Sequence, residues 1–310
     1  MIRVTFLGTS ASRPTVGRNV SAIALQREGT FFLFDCGEGT QRQMMRFGTG
    51  FAMDHIFISH LHADHYLGII GLLRTLSLQG RTDPLHVFGP ERSKDTITAA
   101  VDLGGNRLNY EVNVEELRPG ESVDWDDFGV EAVPVQHGVP ALGYALREHP
   151  RPGRFDLEAA RSLGIPDGPL FGRLQRGEEV EWHGRRITPA EVLGESRPGR
   201  LVLYSGDTRP CNEIVERAAG ADLLIHDCTF ADEGSDRARE TSHSTAREAA
   251  QVAERAGAKR LFLTHLSARY SANVAPLERE AREVYPRAEV AYDGLSLEIG
   301  YEPGSGGNGR

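Results

Sequence analysis

The chain has 310 residues, 39% of them hydrophobic, and a formal net charge of −9, which argues weakly against an extended basic surface for nucleic acid. It contains no run of about 18 apolar residues that would predict a transmembrane helix, and its N-terminus lacks the pattern of a secretory signal peptide. Three cysteines are too few for a disulfide framework, so we expect a cytoplasmic protein without a membrane partner.

The first half of the chain has the pattern of short strands joined by turns. Apolar or β-branched runs bounded by Gly, Asp or Ser predict strands over residues 3–7, 22–26, 31–34, 56–59, 85–88, 130–135 and 142–146. The spacing of apolar residues predicts a helix over residues 67–78, directly after a cluster of histidines.

From residue 201 onwards, strands alternate with helices. We predict strands over residues 201–204, 223–226 and 260–264, and helices over residues 213–219, 245–256 and 275–283. Alternation of this kind places helices on the faces of a sheet. Together with the β-rich first half, it predicts an α/β (α+β) fold in which two sheets form a sandwich with helices outside.

Residues 147–200 interrupt this pattern, because they are rich in proline and glycine and contain few apolar residues. Within them we predict a short helix over residues 157–163. Loops of this length in compact domains are usually functional or disordered. We therefore predict one domain over residues 1–301 that carries residues 147–200 as an insertion. The glycine-rich tail, residues 302–310, is expected to be disordered.

A cluster of potential metal ligands directly follows the strand predicted over residues 56–59: His60, His62, Asp64 and His65. On an extended segment alternate residues point the same way, so His60 and His62 can share one metal ion. Asp64 and His65 come after a turn and can face a second ion. Imidazole with carboxylate suits zinc, and also manganese or iron.

Four ligands cannot complete two metal sites, so distant residues must contribute. Three candidates each lie just past a predicted strand: His137, Asp207 and His265. Folds of this class often collect ligands at strand ends. Asp207 is the best candidate for a bridge, because a carboxylate can offer one oxygen to each of two cations.

This set of residues is similar to the pattern of the metallo-β-lactamase superfamily. The resemblance implies an αββα sandwich with a dinuclear site between the sheets. It assigns one metal ion to His60, His62 and His137, the other to Asp64, His65 and His265, and the bridge to Asp207.

A narrower resemblance is carried by FDCGEGTQ at residues 34–41, SGDTRP at 205–210, HST at 243–245 and LTHLSARY at 263–270. These segments resemble the ribonuclease Z family. The resemblance implies a zinc-dependent endoribonuclease that removes the 3′ trailer from precursor tRNA, leaving a 3′-hydroxyl on the tRNA and a 5′-phosphate on the trailer. It also implies two Zn²⁺ per subunit, with Mn²⁺ or Mg²⁺ as alternatives, a homodimer, and a protruding tRNA-binding arm at residues 147–200.

The same resemblance suggests catalytic roles beyond metal binding. It implies Asp64 as a proton acceptor, His243 as the proton donor to the leaving ribose oxygen, and Asp227 as the carboxylate that orients His243. Two positions depart from the family pattern: Val16 occupies the place of a lysine, and Asp227 that of a glutamate. Without the resemblance, His243 would be interpreted as a histidine at a helix start.

Several alternatives remain open at this point. A small-molecule metallo-hydrolase on the same fold, such as a phosphodiesterase or thioesterase, would use the same histidine cluster. A di-iron oxidoreductase of the flavodiiron type is disfavoured because those proteins usually carry glutamate where His62 stands. An RNA-binding protein with a decayed site is disfavoured by the complete ligand set. Asp35 fits either an ordinary strand end or a residue that supports a ligand histidine.

Overall fold

The computed structural model describes residues 1–103 and 107–301. The expectation for the tail, residues 302–310, lies outside the described residues. Contacts divide the chain into two compact units, one of residues 1–125, 129–147 and 200–310 and the other of residues 126–128 and 148–199.

The first stretch of the chain forms strands with helices between them. Its elements are β1 (Ile2–Gly8), β2 (Ala22–Arg27), β3 (Thr30–Phe34), α1 (Thr40–Phe47), β4 (His55–Phe57), α2 (Ala63–Tyr66), α3 (Ile69–Leu78), β5 (Leu85–Pro90), α4 (Lys94–Asp102), β6 (Val112–Leu117), β7 (Ser122–Asp124), β8 (Phe128–Pro134) and β9 (Leu142–Glu148). The remaining elements are α5 (Leu157–Ser162), α6 (Pro169–Gln175), β10 (Val180–Trp182), β11 (Arg185–Ile187), β12 (Leu201–Tyr204), α7 (Asn212–Arg217), β13 (Leu223–Asp227), α8 (Ser235–Glu240), α9 (Ala246–Ala256), β14 (Leu261–Thr264), α10 (Ala275–Arg282), β15 (Ala288–Val290) and β16 (Ser296–Ile299).

The larger unit contains two seven-stranded sheets. Their strand orders are β16-β1-β2-β3-β4-β5-β6 and β15-β14-β13-β12-β9-β8-β7. Aromatic side chains of the two sheets meet in the interior, where Phe34 stacks on Tyr144 at 5.9 Å and Phe6 contacts Phe262 at 5.8 Å between ring centroids. The predicted sandwich is therefore confirmed.

Each sheet buries its other face against helices. Apolar residues of α1, α3 and α4 pack with β3, β4 and β5 in one cluster. Those of α7, α9 and α10 pack with β12, β13 and β14 in another. The layers are therefore helix, sheet, sheet and helix, the αββα arrangement expected from the resemblance.

Helix positions follow local signals where the sequence has them. The predicted helix over residues 245–256 is α9, and Thr245 caps it together with Glu248 in a capping box. The helix predicted over residues 67–78 is α3, which begins after Gly68. A Cβ on Gly68 would lie 1.9 Å from the carbonyl oxygen of Gly37, so only glycine fits there. The sequence analysis missed the following elements: α1, α2, α4, α6, α8, β6, β7, β10, β11, β15 and β16.

The smaller unit has a core of its own. Its members come from α5, α6, the β10–β11 hairpin and the turn after it: Ala160, Ile165, Phe171, Leu174, Val180, Ile187 and Val192. The predicted short helix is α5, and the side chain of Asp156 caps it by accepting hydrogen bonds from the backbone at Glu158 and Ala159. This part of the insertion is a folded unit rather than a bare loop.

Candidate metal centre

The chain segment after β4 delivers the first group of donor atoms. His62 is still extended, with φ −70° and ψ 145°, and directly precedes α2. His60 Nε2 and His62 Nδ1 face each other at 2.9 Å, and His137 Nε2 lies 3.3 Å from His62 Nδ1. Together with Asp207, these three histidines place one donor atom each within 4.8 Å of the others.

The second group is built on the single turn of α2. His65 Nε2 lies 3.4 Å from His265 Nε2, and His265 Nε2 lies 3.3 Å from Asp64 Oδ2. His265 follows β14 and has φ +58°, a left-handed conformation that is uncommon for residues other than glycine. This turn at the strand end directs the ring of His265 toward α2, a contact that the strand pattern alone could not predict.

Asp207 lies between the two groups. Its Oδ2 is 3.5 Å from His60 Nε2 and 3.3 Å from both His65 Nε2 and His265 Nε2. Its Oδ1 is buried and has no hydrogen-bond partner among the described residues. A buried carboxylate oxygen without a donor, beside imidazole nitrogens that face one another, is the donor set that divalent cations require.

Charges inside the cluster oppose each other strongly. Burial raises the pKa of Asp207, but the positive charges of His265 and His65 outweigh it and hold this pKa well below its usual range. Burial lowers the pKa of His65 and His265, but the charge of Asp207 outweighs this effect. The pKa of His65 is therefore well above its usual range, and the pKa of His265 is raised to about 10. Burial lowers the pKa of His60, so this ring stays neutral at neutral pH.

Buried residues hold the His65 ring in place. Asp35 is fully buried, and its Oδ2 accepts hydrogen bonds from His65 Nδ1 at 2.7 Å, Ser59 Oγ at 2.8 Å and Tyr204 Oη at 2.6 Å. Asp35 therefore holds the Nδ1 proton of His65, so that Nε2 is the nitrogen that faces the cluster and can bind a cation once its own proton is released. Of the two interpretations of Asp35, the geometry favours support of a ligand histidine.

Two further rings also have a partner at Nδ1. Thr229 Oγ1 lies 2.9 Å from His265 Nδ1, and the carbonyl oxygen of Ser242 lies 3.0 Å from His137 Nδ1. Neither contact was predicted, because nothing in the sequence around Thr229 or Ser242 marks a partner for a distant ring.

Asp227 and His243 form a pair beside the cluster. His243 Nδ1 donates to Asp227 Oδ2 at 2.8 Å and lies 3.9 Å from Asp207 Oδ2. Asp227 also accepts hydrogen bonds from the backbone of Thr208 and from the backbone and hydroxyl of Thr229. The shorter aspartate therefore still reaches the imidazole, and its oxygens are taken up by donors.

The electrostatic setting of His243 favours its protonated form. Burial lowers the pKa of His243, but the charge of Asp227 and the hydrogen bond to it outweigh this effect and raise the pKa. Only Nδ1 is engaged by Asp227, so the pair can present the other ring nitrogen as an acid.

An early loop also reaches the cluster. The backbone N–H of Ser12 donates to Asp64 Oδ2 at 2.6 Å, and Ser12 has φ +59°. Sequence reasoning missed this contact, because a backbone donor leaves no mark in the sequence. The side chain of Val16, which stands where the family pattern has lysine, is fully exposed at the tip of the same loop.

Comparisons with known proteins agree with this geometry. A family model described as a beta-lactamase superfamily domain matches residues 30–155 and 171–266. The chain is 53% identical over 301 residues to a Ribonuclease Z of Myxococcus xanthus, covering 96% of this chain and 98% of that protein. It is 50% identical over 304 residues to a Ribonuclease Z of Methanosarcina acetivorans, covering 98% and 100%.

The chain belongs to the ribonuclease Z family. A solved structure, the short form of human tRNase Z, superposes with a TM-score of 0.71 at 30% identity and covers 96% of this chain and 100% of that one. Membership in the ribonuclease Z family confirms the resemblance carried by residues 34–41, 205–210, 243–245 and 263–270. The fold and the histidine–aspartate groups together support a divalent metal cofactor. No helix among residues 1–103 and 107–301 is long and apolar enough to span a bilayer.

Proposed function

We propose that this ribonuclease Z family member removes the 3′ trailer from precursor tRNA, using two zinc ions per subunit and the Asp227–His243 pair. The observation that carries the proposal is the position of this pair, 3.9 Å from the carboxylate shared by both donor groups. A metal cluster alone would serve many hydrolases, whereas a buried acid beside it suits a leaving group that departs poorly without a proton.

Each metal ligand has a proposed place. His60, His62 and His137 would hold one cation, Asp64, His65 and His265 would hold the other, and Asp207 would contribute to both. When bound, two such cations supply Lewis-acid activation of water and neutralise charge on the phosphate. Mn²⁺ or Mg²⁺ can take the place of zinc at ligands of this type.

Asp64 is proposed to accept the proton of the attacking water. Burial raises its pKa, but the hydrogen bond from His265 and the charges of His65 and His265 outweigh it and hold the pKa below its usual range. The carboxylate is therefore ionised at neutral pH. The Ser12 N–H that it accepts fixes its orientation.

His243 is proposed to protonate the leaving ribose 3′-oxygen, so that the tRNA ends in a 3′-hydroxyl and the trailer carries the 5′-phosphate. Asp227 holds the ring with Nδ1 inward and stabilises its charge before the proton is given up. This role matches the raised pKa of His243.

The smaller unit, within residues 147–200, is proposed to bind the tRNA, and the chain is proposed to act as a homodimer. Several arginines of this unit lie in ion pairs: Arg161 with Asp167 at 2.8 Å, and both Arg173 and Arg176 with Glu178. Binding of a phosphate backbone would therefore exchange these exposed pairs and be sensitive to salt.

The test is cleavage of a 3′-extended precursor tRNA with added zinc, manganese or magnesium, mapping the cut relative to the discriminator base. We expect one cut at the trailer junction. The His243→Ala variant should lose turnover on this RNA while it retains its metal content. Loss of metal in that variant, or cutting at many sites in the wild-type reaction, would contradict the proposed roles. A sedimentation measurement tests the dimer.

A further inference from the structure

Arg209 lies two residues after Asp207 and directs its guanidinium toward the start of α9. Its Nη1 donates to the carbonyl oxygen of His243 at 2.5 Å and to Glu248 Oε2 at 2.8 Å, and its Nη2 donates to Glu248 Oε1 at 2.5 Å. The side chain is only 21% exposed. A fork of this kind holds its partner in one orientation, because both donors are fixed in one plane.

Glu248 is not an arbitrary partner. Its Oε2 accepts the backbone N–H of Thr245 at 2.9 Å, and its own N–H donates to Thr245 Oγ1 at 3.2 Å, which makes the capping box of α9. A single guanidinium therefore joins the backbone of His243 to the first turn of the helix that follows it.

The loop that carries Arg209 also holds the orienting carboxylate. The Thr208 N–H donates to Asp227 Oδ2 at 3.0 Å, and the carbonyl oxygen of Thr208 accepts the Ser244 hydroxyl at 2.7 Å. Residues 207–209 thus supply the carboxylate between the two donor groups, and they contact both the residue that orients the imidazole and the main chain around His243.

We propose that Arg209 is a positioning residue for the acid step, fixing where His243 presents its proton to the leaving oxygen. The inference rests on the proposed function. Among residues 1–103 and 107–301, the His243 side chain has one hydrogen-bond partner, Asp227 at Nδ1, and its ring lies against those of His265 and His137. The place of its other nitrogen therefore also depends on the main chain that Arg209 holds. Because its charge is engaged by Glu248, Arg209 acts through His243 rather than on the phosphate. Misplacement of a reacting group by about 1 Å can cost a factor of about 100 in rate.

The test compares two substrates of the metal-loaded protein. Precursor tRNA releases a ribose oxygen that needs a proton, whereas bis(p-nitrophenyl) phosphate releases a phenolate that is stable without one. For Arg209→Met we expect turnover of the RNA to fall by about 10- to 100-fold, with little change on the nitrophenyl diester and the same metal content. Arg209→Lys, which keeps one donor, should recover part of the loss.

The control is Arg255→Met on the same helix. Arg255 donates to Asn212 at 2.7 Å near the other end of α9 and touches neither His243 nor Glu248. This variant should leave the ratio of the two activities unchanged. In the His243→Ala background, Arg209→Met should reduce RNA turnover little further, because both substitutions impair the same acid step.

Equal losses on both substrates, or a loss that adds fully to that of His243→Ala, would overturn the positioning role. Should Arg209→Met fail to fold, Arg209→Lys decides the matter by the same ratio. If His243→Ala spares the RNA reaction, the proposed acid step itself is wrong. If His243→Ala is selective and Arg209→Met is not, only the positioning inference fails.

Discussion

Replacing Asp35 with asparagine tests how much the Asp35 hydrogen bond to His65 contributes, because the variant keeps the proposed ligand His65 itself. Asp35 has φ +56°. Apart from glycine, aspartate and asparagine are among the residues that adopt this conformation most readily, so the substitution should leave the backbone unaffected. The amide retains one carbonyl oxygen for the Ser59 N–H at 2.7 Å. Its NH₂ group then faces three former donors, including His65 Nδ1.

The magnitude follows from those three contacts. Hydrogen bonds to a charged group each contribute about 1.5–3 kcal/mol, and partial rearrangement of the Ser59 and Tyr204 hydroxyls recovers some of this. We therefore expect Asp35→Asn to lower the free energy of unfolding of the metal-free protein by about 3–5 kcal/mol. The NH₂ group can also donate to His65 Nδ1, moving the ring proton to the nitrogen that faces the cluster. Loss of such an orienting partner typically costs about 10–100-fold in metal affinity.

The assay is urea unfolding of the metal-free variant together with competition against a zinc chelator. Tyr144→Phe is the matched control, because its hydroxyl donates to the carbonyl oxygen of Ile58 at 2.7 Å in the same interior rather than to Asp35. The control should lose about 1 kcal/mol of stability and no metal affinity. An Asp35→Asn protein that binds zinc as tightly as the wild type would refute the assigned role.

Three further predictions use other features of the structure. The raised pKa values keep His65 and His265 protonated in the metal-free protein. Metal binding near pH 7 should therefore release a proton from each, and metal affinity should increase as the pH rises. Calorimetry in buffers of different ionisation heat measures this proton release, and a result of no release would contradict the prediction. Burial lowers the pKa of His55 from 6.5 to about 4, so its neutral ring contributes stability that is lost as the pH falls from 6.5 to 4. In His55→Phe, the difference between the urea midpoints at pH 7 and pH 5 should therefore be smaller than in the wild type. An unchanged difference would contradict this prediction. Gly68→Ala should lower the melting temperature by several degrees, because its Cβ meets the Gly37 carbonyl oxygen at 1.9 Å; an unaltered melting temperature would show that the backbone can shift.

The sequence indicated which residues could form the site more completely than it indicated how they are arranged. Candidate ligands separated by up to 205 residues, from His60 to His265, were predicted because each group follows a buried strand, and strand ends of one sandwich meet at a common edge. Residues 245–256 were predicted as a helix for a similar reason, since Thr245 and Glu248 mark its start. These signals are local, and the fold only had to bring them together.

What could not be predicted depends on contacts between distant atoms. The helix α2 is a single turn, too short for any periodic pattern, yet it places Asp64 and His65 against the distant His265. The N–H of Ser12 and the Asp35–Tyr204 hydrogen bond belong to the same category, since the first is backbone and the second joins two sheets. The polar helices α1 and α4 were missed because their exposed faces dilute the apolar pattern.

The contribution of both sheets to one cluster has a consequence for how the protein is made. The segment from His60 to His65 leaves the ribosome early, but His265 follows 200 residues after His65. A cation captured by the early segment alone has too few ligands to be retained, and a chain that ends prematurely never completes either the second donor group or the β14 strand that carries it. On the proposed ligand set, loading of both cations therefore requires a chain that has been synthesised past residue 265 and has joined both sheets. In the cell, the metal content of this protein would report on the completeness of its folding.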